Sequence, residues 1–469
     1  MLTIPLNKEG YKLLLQGTIA FSEIQTNGIA IDVDYCKKTY EELADKIKVQ
    51  EKKLYGHKEV KEWKKKYRSK FNLGSSTQLS DILFNEFNYK PKKWTTDEKT
   101  NPSTDAEALK QLKVPFTEDL ILLRQLGKIR NTYIKNLIQE TVNGYLHPFL
   151  DLHTTTTYRS SSSMPNAQNI PIRDPMMGKI IRQAFIPRVG HYFTEADYGG
   201  VEVKAAAVYH QDPNMLEYLR DPENSDMHAD FFTQCFMMSK YDPKCKGDKD
   251  LRKAVKNCWT FPQFYGDYFG NNARAFWSWL EFEGNRIDPK KGYILNNGKP
   301  VGQQLIDNRI TTFQKFERHM ANIEKDMWER RFPVYAKWKE NQYKLYLRQG
   351  YITSLSGFTF QGVLKKNEVV NYPIQALAFH CLLWGCIRLL KMIRKYRMKT
   401  KITFQIHDSL IGDVPKDEKR DYYDLLKQVM IHDLKDHWKF INIPLEIEVD
   451  SSKLNGNWYK MATELNYIG

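Results

Sequence analysis

The chain has 469 residues, enough at roughly 100–200 residues per domain for two to four structural units. With 41% hydrophobic and 27% charged residues, its composition excludes a disordered or fibrous protein. Lys and Arg number 71 against 56 Asp and Glu, a net charge of +15 that favours a polyanionic partner, most simply nucleic acid or nucleotides.

Met1 to Gly10 has no apolar run behind a basic start, so no secretory signal is expected. Cys36, Cys235, Cys245, Cys258, Cys381 and Cys386 form no CxxC pair, which argues against structural zinc and a disulfide framework and fits a reducing compartment. The segment to about Gly144 reads as charged helix. Between Lys37 and Lys70 it carries 13 Lys/Arg against 6 Asp/Glu, either a solvated face or a rail for phosphates. Thr95 to Asp105, with Asn101-Pro102, reads as a loop, and Asp105 to Val142 as one helical run.

From His153 to Pro171 the residues are hydroxyl- and amide-rich, with two prolines, and irregular backbone is expected. Arg159, Asn166, Gln168 and Asn169 lie close together there, and such side chains suit sugars, phosphates and minor-groove base edges. His191 to His210 reads as a strand ending near Asp197, a Gly199-Gly200 turn and a helix. An acid at a strand end before a Gly turn is placed to hold a metal, although a capping Asp has the same look. In Leu251 to Gly266, Arg252 and Lys256 are four apart and share a helix face, as a solvent stripe or a triphosphate clamp. Ile374 to Leu390 is apolar but carries Gln375, His380 and Arg388, so it reads as a buried helix and not a membrane span. Lys401 to Val414 alternates and reads as a hairpin turning at His407-Asp408-Ser409, with an acid at its tip.

Taken in order, these segments resemble family A DNA polymerases, the DNA polymerase I type, from about Phe21 to the C-terminus. Thr26–Tyr35 (TNGIAIDVDY), Phe71–Leu79 (FNLGSSTQL) and Pro102–Leu109 (PSTDAEAL) resemble thumb landmarks. TTTTYRSSSSMPNAQNIPIR is similar to the family segment TxTGRLSSxxPNLQNIPxR. DYGGVE resembles motif A, RKAVKNCWTFPQFYG motif B, NYPIQALA the NxPxQGTA helix, and QIHDSLI motif C. There are departures. Tyr158 and Ser160 flank Arg159 where the family has Gly and Leu, Lys204 replaces an Arg, and Ser409 replaces the Glu of motif C. Motif B is one residue longer than R-x3-K-x3-F-x3-YG. Its aromatic is Phe261, with a bulge or kink upstream, or Trp259.

The resemblance implies a helix-rich α/β right-hand fold: an antiparallel palm sheet, a helical thumb and helical fingers. Residues 1–150 would form the N-terminal segment and thumb, and 151–210 the first part of the palm with motif A. Residues 211–370 would form the fingers, with an insertion over about 267–330 that has no assigned function, and 371–469 the rest of the palm with motif C. The implied activity is primer-dependent, template-directed DNA synthesis. Two Mg²⁺ ions, or Mn²⁺ in their place, would be held by Asp197, Asp408 and the backbone carbonyl of Tyr198. Arg252 and Lys256 would clamp the triphosphate, with Lys256 as proton donor, near His228. Glu202 would be the sugar gate, with Phe261 and Tyr265 beside the incoming nucleotide. Arg159, Asn166, Gln168, Asn169, Asn371, Gln375 and His407 would contact DNA.

The compact form, the insertion and the motif variants resemble bacteriophage polymerases, and no exonuclease domain is expected. The expected partners are primer-template DNA, dNTPs, a separate exonuclease, and a helicase or processivity protein. No membrane partner is expected, and the location is the cytoplasm, that of the host if phage-encoded. The competing readings are a single-subunit RNA polymerase, against which Glu202 argues, and an inactive DNA-binding scaffold, against which Asp197, Asp408, Arg252 and Lys256 argue.

Overall fold

The first described helix, α1 (Lys8–Asn27), buries Leu13, Gly17, Ala20, Phe21 and Ile24 along one stripe, the spacing of an amphipathic helix. The structure is a computed structural model describing residues 8–91, 93–95, 101–171, 174–221 and 225–469. Residues 1–7 of the segment read for a signal, 96–100 of the expected loop and the last two residues of the Thr154–Arg173 motif therefore lie outside the described residues.

Helix α2 (Val33–Tyr55) starts at Asp32, whose side chain accepts from the Tyr35 amide. All 13 basic residues between Lys37 and Lys70 are exposed. Beneath them Leu54, Val60, Trp63, Leu79, Ile82, Leu83, Leu109, Phe116 and Leu120 form a small core separate from the main one. The single helix expected over Asp105–Val142 is broken into Ala106–Gln111 and a second helix starting at Pro115. Proline disfavours helical backbone in the residue before it, and Val114 is extended (φ −107°, ψ 131°).

His153–Pro171 is largely irregular, as expected, but it is anchored. Ser161–Ser163 pairs with Phe149–Asp151, and the Asp151 carboxylate accepts from Ser161 Oγ and the His153 and Thr154 amides. The main sheet opens with β1 (His191–Tyr198), followed by α3 (Val201–His210). Gly200 takes a left-handed conformation (φ 60°) at the turn between them.

Between α3 and the last long helix the described residues are mostly helical, including α4 (Met227–Phe236) and α5 (Lys246–Val255), with a small antiparallel hairpin of Tyr351–Thr353 and Thr359–Gln361. The aromatic-rich insertion packs on α4 through Phe236 and Phe276, whose ring centroids are 5.7 Å apart and nearly perpendicular.

Helix α6 (Lys366–Lys395) is longer than the expected Ile374–Leu390 and is continuous across position 370/371. Glu368 reaches back to the Lys365 amide and extends the helix forward. It is long and apolar enough to cross a membrane, yet 78% of its apolar window is buried, so it is a core helix.

The remaining strands of the main sheet are β2 (Lys401–Ile406), β3 (Ser409–Pro415), β4 (Glu446–Ser451) and β5 (Ala462–Ile468). The sheet order is β5-β4-β1-β3-β2, antiparallel throughout. Strand alternation gives it two different faces. Ala196, Tyr198, Leu410, Ile447 and Val449 are buried on one, and the Tyr198 hydroxyl donates to the Met430 carbonyl at 2.6 Å. The other face carries Glu195, Asp197, Ser409, Glu448 and Asp450.

Candidate active site

Two strands place the acids. Asp197 is the penultimate residue of β1 and pairs with Ser409, the first of β3, and His407-Asp408 is the two-residue tip joining β2 to β3. His407 has φ 50° there, and the Tyr198 amide donates to the Asp408 carbonyl at 3.3 Å. Asp197 and Asp408 are thus brought together from positions 211 apart in sequence. Asp197 Oδ1 is buried without a hydrogen-bond partner. Burial, then the charges of Asp408, Glu195 and Glu448, push its carboxyl well above the usual range.

A half-buried carboxylate pair with one buried, unpartnered oxygen fits a divalent cation, which supplies the missing positive charge. Mg²⁺ characteristically takes one or two carboxylates and fills the rest of its shell with water and phosphate. The Tyr198 ring lies on the opposite face, so its main chain alone can serve.

Sequence reasoning missed Glu195 and Glu448. Glu195 stands two residues before Asp197 on one strand, and Glu448 pairs with Asp197 from β4. Alternation along β1 could have found the first; the second needed the register. Lys204 is buried and 3.5 Å from Glu446, with burial pushing its ammonium down.

Glu202 sits in the first turn of α3. Its carboxylate accepts from Arg159 and from the Tyr265 hydroxyl, joining three distant segments. Arg159 Nε also donates to the Gln375 carbonyl at 3.4 Å.

Arg252 makes two hydrogen bonds to Asp226, at 2.7 and 2.9 Å. Asp226 also caps α4 by accepting from the His228 and Ala229 amides. The Arg252 guanidinium is therefore already engaged, which sequence reasoning did not anticipate. His228 Nδ1 lies 3.1 Å from Thr260 Oγ1. Burial, with Arg252 beside it, pushes its imidazole down to about 4, so it is neutral near pH 7. Lys256 is exposed, with Nζ 5.3 Å from the Phe261 ring centroid.

The extra residue of the segment is absorbed by a π turn over Lys256–Thr260, before helix resumes at Phe261. Phe261 stacks with Tyr265 (6.1 Å, 14°) and meets His228 edge-on at 5.9 Å. Trp259 is fully buried against Phe231 instead.

Gln168 Nε2 donates to Ser160 Oγ and Gln405 Oε1, each at 3.0 Å. Asn371 Nδ2 donates to the Tyr265 carbonyl at 2.8 Å, and its Oδ1 is buried without a partner. His407 is exposed at the hairpin tip. Asn166 and Asn169 line a separate groove with Thr132, Tyr133 and Asn136.

The model of DNA polymerase family A matches residues 33–460. DNA polymerase I of Chloroflexus aurantiacus is 25% identical over 459 residues, 96% of this chain and 43% of that protein. DNA polymerase I of Bacillus subtilis is 28% identical over 452 residues, 94% of this chain and 44% of that protein. The chain thus spans less than half the length of these relatives. A solved structure titled as the POL domain of Pol1 from M. smegmatis, in complex with DNA primer-template and dNTP, has a TM-score of 0.73 at 22% identity. It covers 95% of this chain and 70% of that one, and shows the helix-rich α/β fold. With the family model matched over nearly its whole length, the chain belongs to DNA polymerase family A.

Proposed function

We propose that this chain carries out template-directed, primer-dependent DNA synthesis. The primer 3′-oxygen forms a bond to the α-phosphorus of a dNTP, the bond from that phosphorus to the bridging oxygen breaks, and pyrophosphate leaves. The observation that carries this reading is the Asp197–Asp408 apposition with its uncompensated buried oxygen. Asp197, Asp408 and the Tyr198 carbonyl would hold two Mg²⁺, or Mn²⁺, which would supply activation of the attacking oxygen and neutralisation of phosphate charge.

Arg252 and Lys256 bind the triphosphate, and Lys256 gives a proton to the departing pyrophosphate. His228, neutral, orients the phosphate end by hydrogen bonding. Arg159, Asn166, Gln168, Asn169, Asn371, Gln375 and His407 face the duplex, where minor-groove acceptors common to all base pairs let them test shape without reading sequence. The exposed lysines of α2 and the following helix track backbone phosphates as a thumb. The sheet with α3 and α6 is the palm, and the helices from α4 to the start of α6 are the fingers. The motif variants at Tyr158, Ser160, Lys204 and Ser409 favour a bacteriophage replicative enzyme acting in the host cytoplasm, alongside a separate exonuclease and a helicase or processivity protein. The relatives named above are bacterial.

The test is extension of a primed template by purified protein, with dNTPs or NTPs, with and without Mg²⁺. Extension requiring both dNTPs and Mg²⁺ is expected. Extension with NTPs alone would identify an RNA polymerase, and DNA binding without extension a scaffold.

Glu202, held by Arg159 and Tyr265, forms a fixed wall beneath the sugar of the incoming nucleotide. Glu202→Ala is expected to raise the rNTP-to-dNTP incorporation ratio about tenfold or more, the scale of a small steric difference in a pocket. An unchanged ratio in single-nucleotide incorporation would place the gate elsewhere.

Phe261 lies beside the nucleotide, and a phenol there supplies the hydrogen bond that the missing 3′-hydroxyl of a dideoxynucleotide would have made. Phe261→Tyr should raise the ddNTP-to-dNTP ratio by about tenfold, near the top of the range for one hydrogen bond. Trp259→Tyr should leave that ratio alone while lowering the melting temperature, because its ring is buried. A ratio moved by Trp259→Tyr and not by Phe261→Tyr would reverse the assignment of the two aromatics.

A further inference from the structure

The acidic face of the sheet holds a carboxylate that the mechanism above does not use. Glu195 is half-buried on β1, two residues before Asp197 and on the same face. Its Oε1 accepts from Ser409 Oγ at 2.8 Å, and its Oε2 accepts from Trp458 Nε1 at 2.9 Å. Trp458 is 3% exposed and is clamped by Phe185 and Phe193, with the Arg182 guanidinium 3.9 Å over its ring. Both oxygens of Glu195 therefore have a donor within hydrogen-bond distance, and the indole donor is locked by its packing. No Lys or Arg among the described residues forms an ion pair with it.

Ser409 Oγ also lies 3.1 Å from the Ile406 carbonyl, across the two-residue tip that carries Asp408. Contacts thus run from Trp458 through Glu195 and Ser409 to the hairpin tip. Ser409 stands where the family resemblance has a Glu, so the negative charge absent from β3 is present on the adjacent β1, one hydrogen bond away.

We propose that Glu195 is a positioning residue for the metal-holding face: through Ser409 it fixes the tip that presents Asp408, and it supplies from β1 the charge that position 409 lacks. This rests on the polymerase reading for its consequence in catalysis, but its geometry is a property of the sheet. An acid placed at 409 would stand beside Glu195, whose Oε1 the Ser409 hydroxyl already reaches at 2.8 Å, and opposite Asp197 in the register. The two carboxylates would then repel at hydrogen-bond distance, on a face that already carries Asp197, Glu448 and Asp450.

The test uses the full chain in three forms: Glu195→Gln, Ser409→Glu, and the double variant Glu195→Ala/Ser409→Glu. The readouts are Mn²⁺ affinity from the free-ion electron paramagnetic resonance signal, kcat and dNTP KM for extension, and melting temperature. Residues that orient metal ligands typically shift affinity or activity about 10–100-fold. Glu195→Gln, nearly isosteric, should weaken Mn²⁺ binding and kcat by about that factor at unchanged KM and melting temperature. Ser409→Glu alone should also lose kcat, and the double variant should recover most of both. A purely structural Glu195 would give no such rescue.

Native Mn²⁺ affinity and kcat in Glu195→Gln would overturn the proposal, as would a double variant that melts like wild type yet is no better than its parents. Should the double variant fold poorly, Glu195→Gln decides alone. Should wild type fail to extend primers, the polymerase reading falls while the Mn²⁺ titration still tests Glu195.

Discussion

Asp197→Asn and Asp408→Asn should each reduce primer extension by about 10³-fold or more, while primer-template affinity stays near that of wild type. The amide removes a unit of negative charge where cations must gather, and metal charge stabilisation is worth several kcal/mol in the transition state. The duplex is expected to bind through other groups, so a filter or fluorescence titration should show little change. Stability gives an independent check. In the metal-free chain, burial and three neighbouring carboxylates oppose ionisation of Asp197. A neutral side chain removes that opposition, so Asp197→Asn should melt at or above the wild-type temperature at neutral pH. Loss of activity with retained stability separates chemistry from folding. Ser409→Ala, which breaks a hydrogen bond and leaves both acids in place, should cost far less. Near-native turnover in either Asp variant would show that this pair does not hold the metal.

What was legible in the sequence was local. Alternation in Ile402, Phe404 and Ile406, followed by an acid at a tight turn, gave the β2–β3 hairpin, and the Gly pair after Asp197 gave the β1–α3 turn. The break at Val114-Pro115 was also written in the sequence, since proline restrains its predecessor, but a long charged periodicity masked it. The forward extension of α6 depends on Glu368 folding back onto its own helix start, a short-range signal outweighed by the apolar run behind it. Glu195, Glu448 and Asp226 were not legible as site groups. Their meaning comes from register or contact between segments far apart: Glu448 pairs with Asp197 from 251 residues away, and Asp226 meets Arg252 across two helices. Local pattern reports which face a residue takes, not what stands opposite it. The π turn lies between these cases. An odd residue count in a helical motif signals a bulge, but only packing decides which aromatic it buries, and the pocket against Phe231 takes Trp259.

Lys256→Ala should slow extension by roughly 10²-fold or more at saturating dNTP, the scale of losing a positioned acid or charge clamp. Arg252→Ala should act mainly on KM. The two basic residues are one helical turn apart but differ in what holds them. The guanidinium of Arg252 is paired with Asp226, so a triphosphate meets a charge already partly neutralised and already oriented. Removing it also frees Asp226, which caps the helix carrying His228, so dNTP affinity should fall through the loosened helix start as well. Lys256 forms no ion pair among the described residues, and its ammonium stands over the Phe261 ring at the start of the π turn. It can reach the leaving group without first surrendering a carboxylate, and its full charge is available as pyrophosphate departs. Single-turnover extension across dNTP concentrations separates the two effects. Mild and equal losses at both positions would shift the role to Lys253, which is also exposed on this helix. The π turn makes that outcome distinguishable, because it redirects Lys256 and everything after it while leaving Lys253 on the regular turn before it.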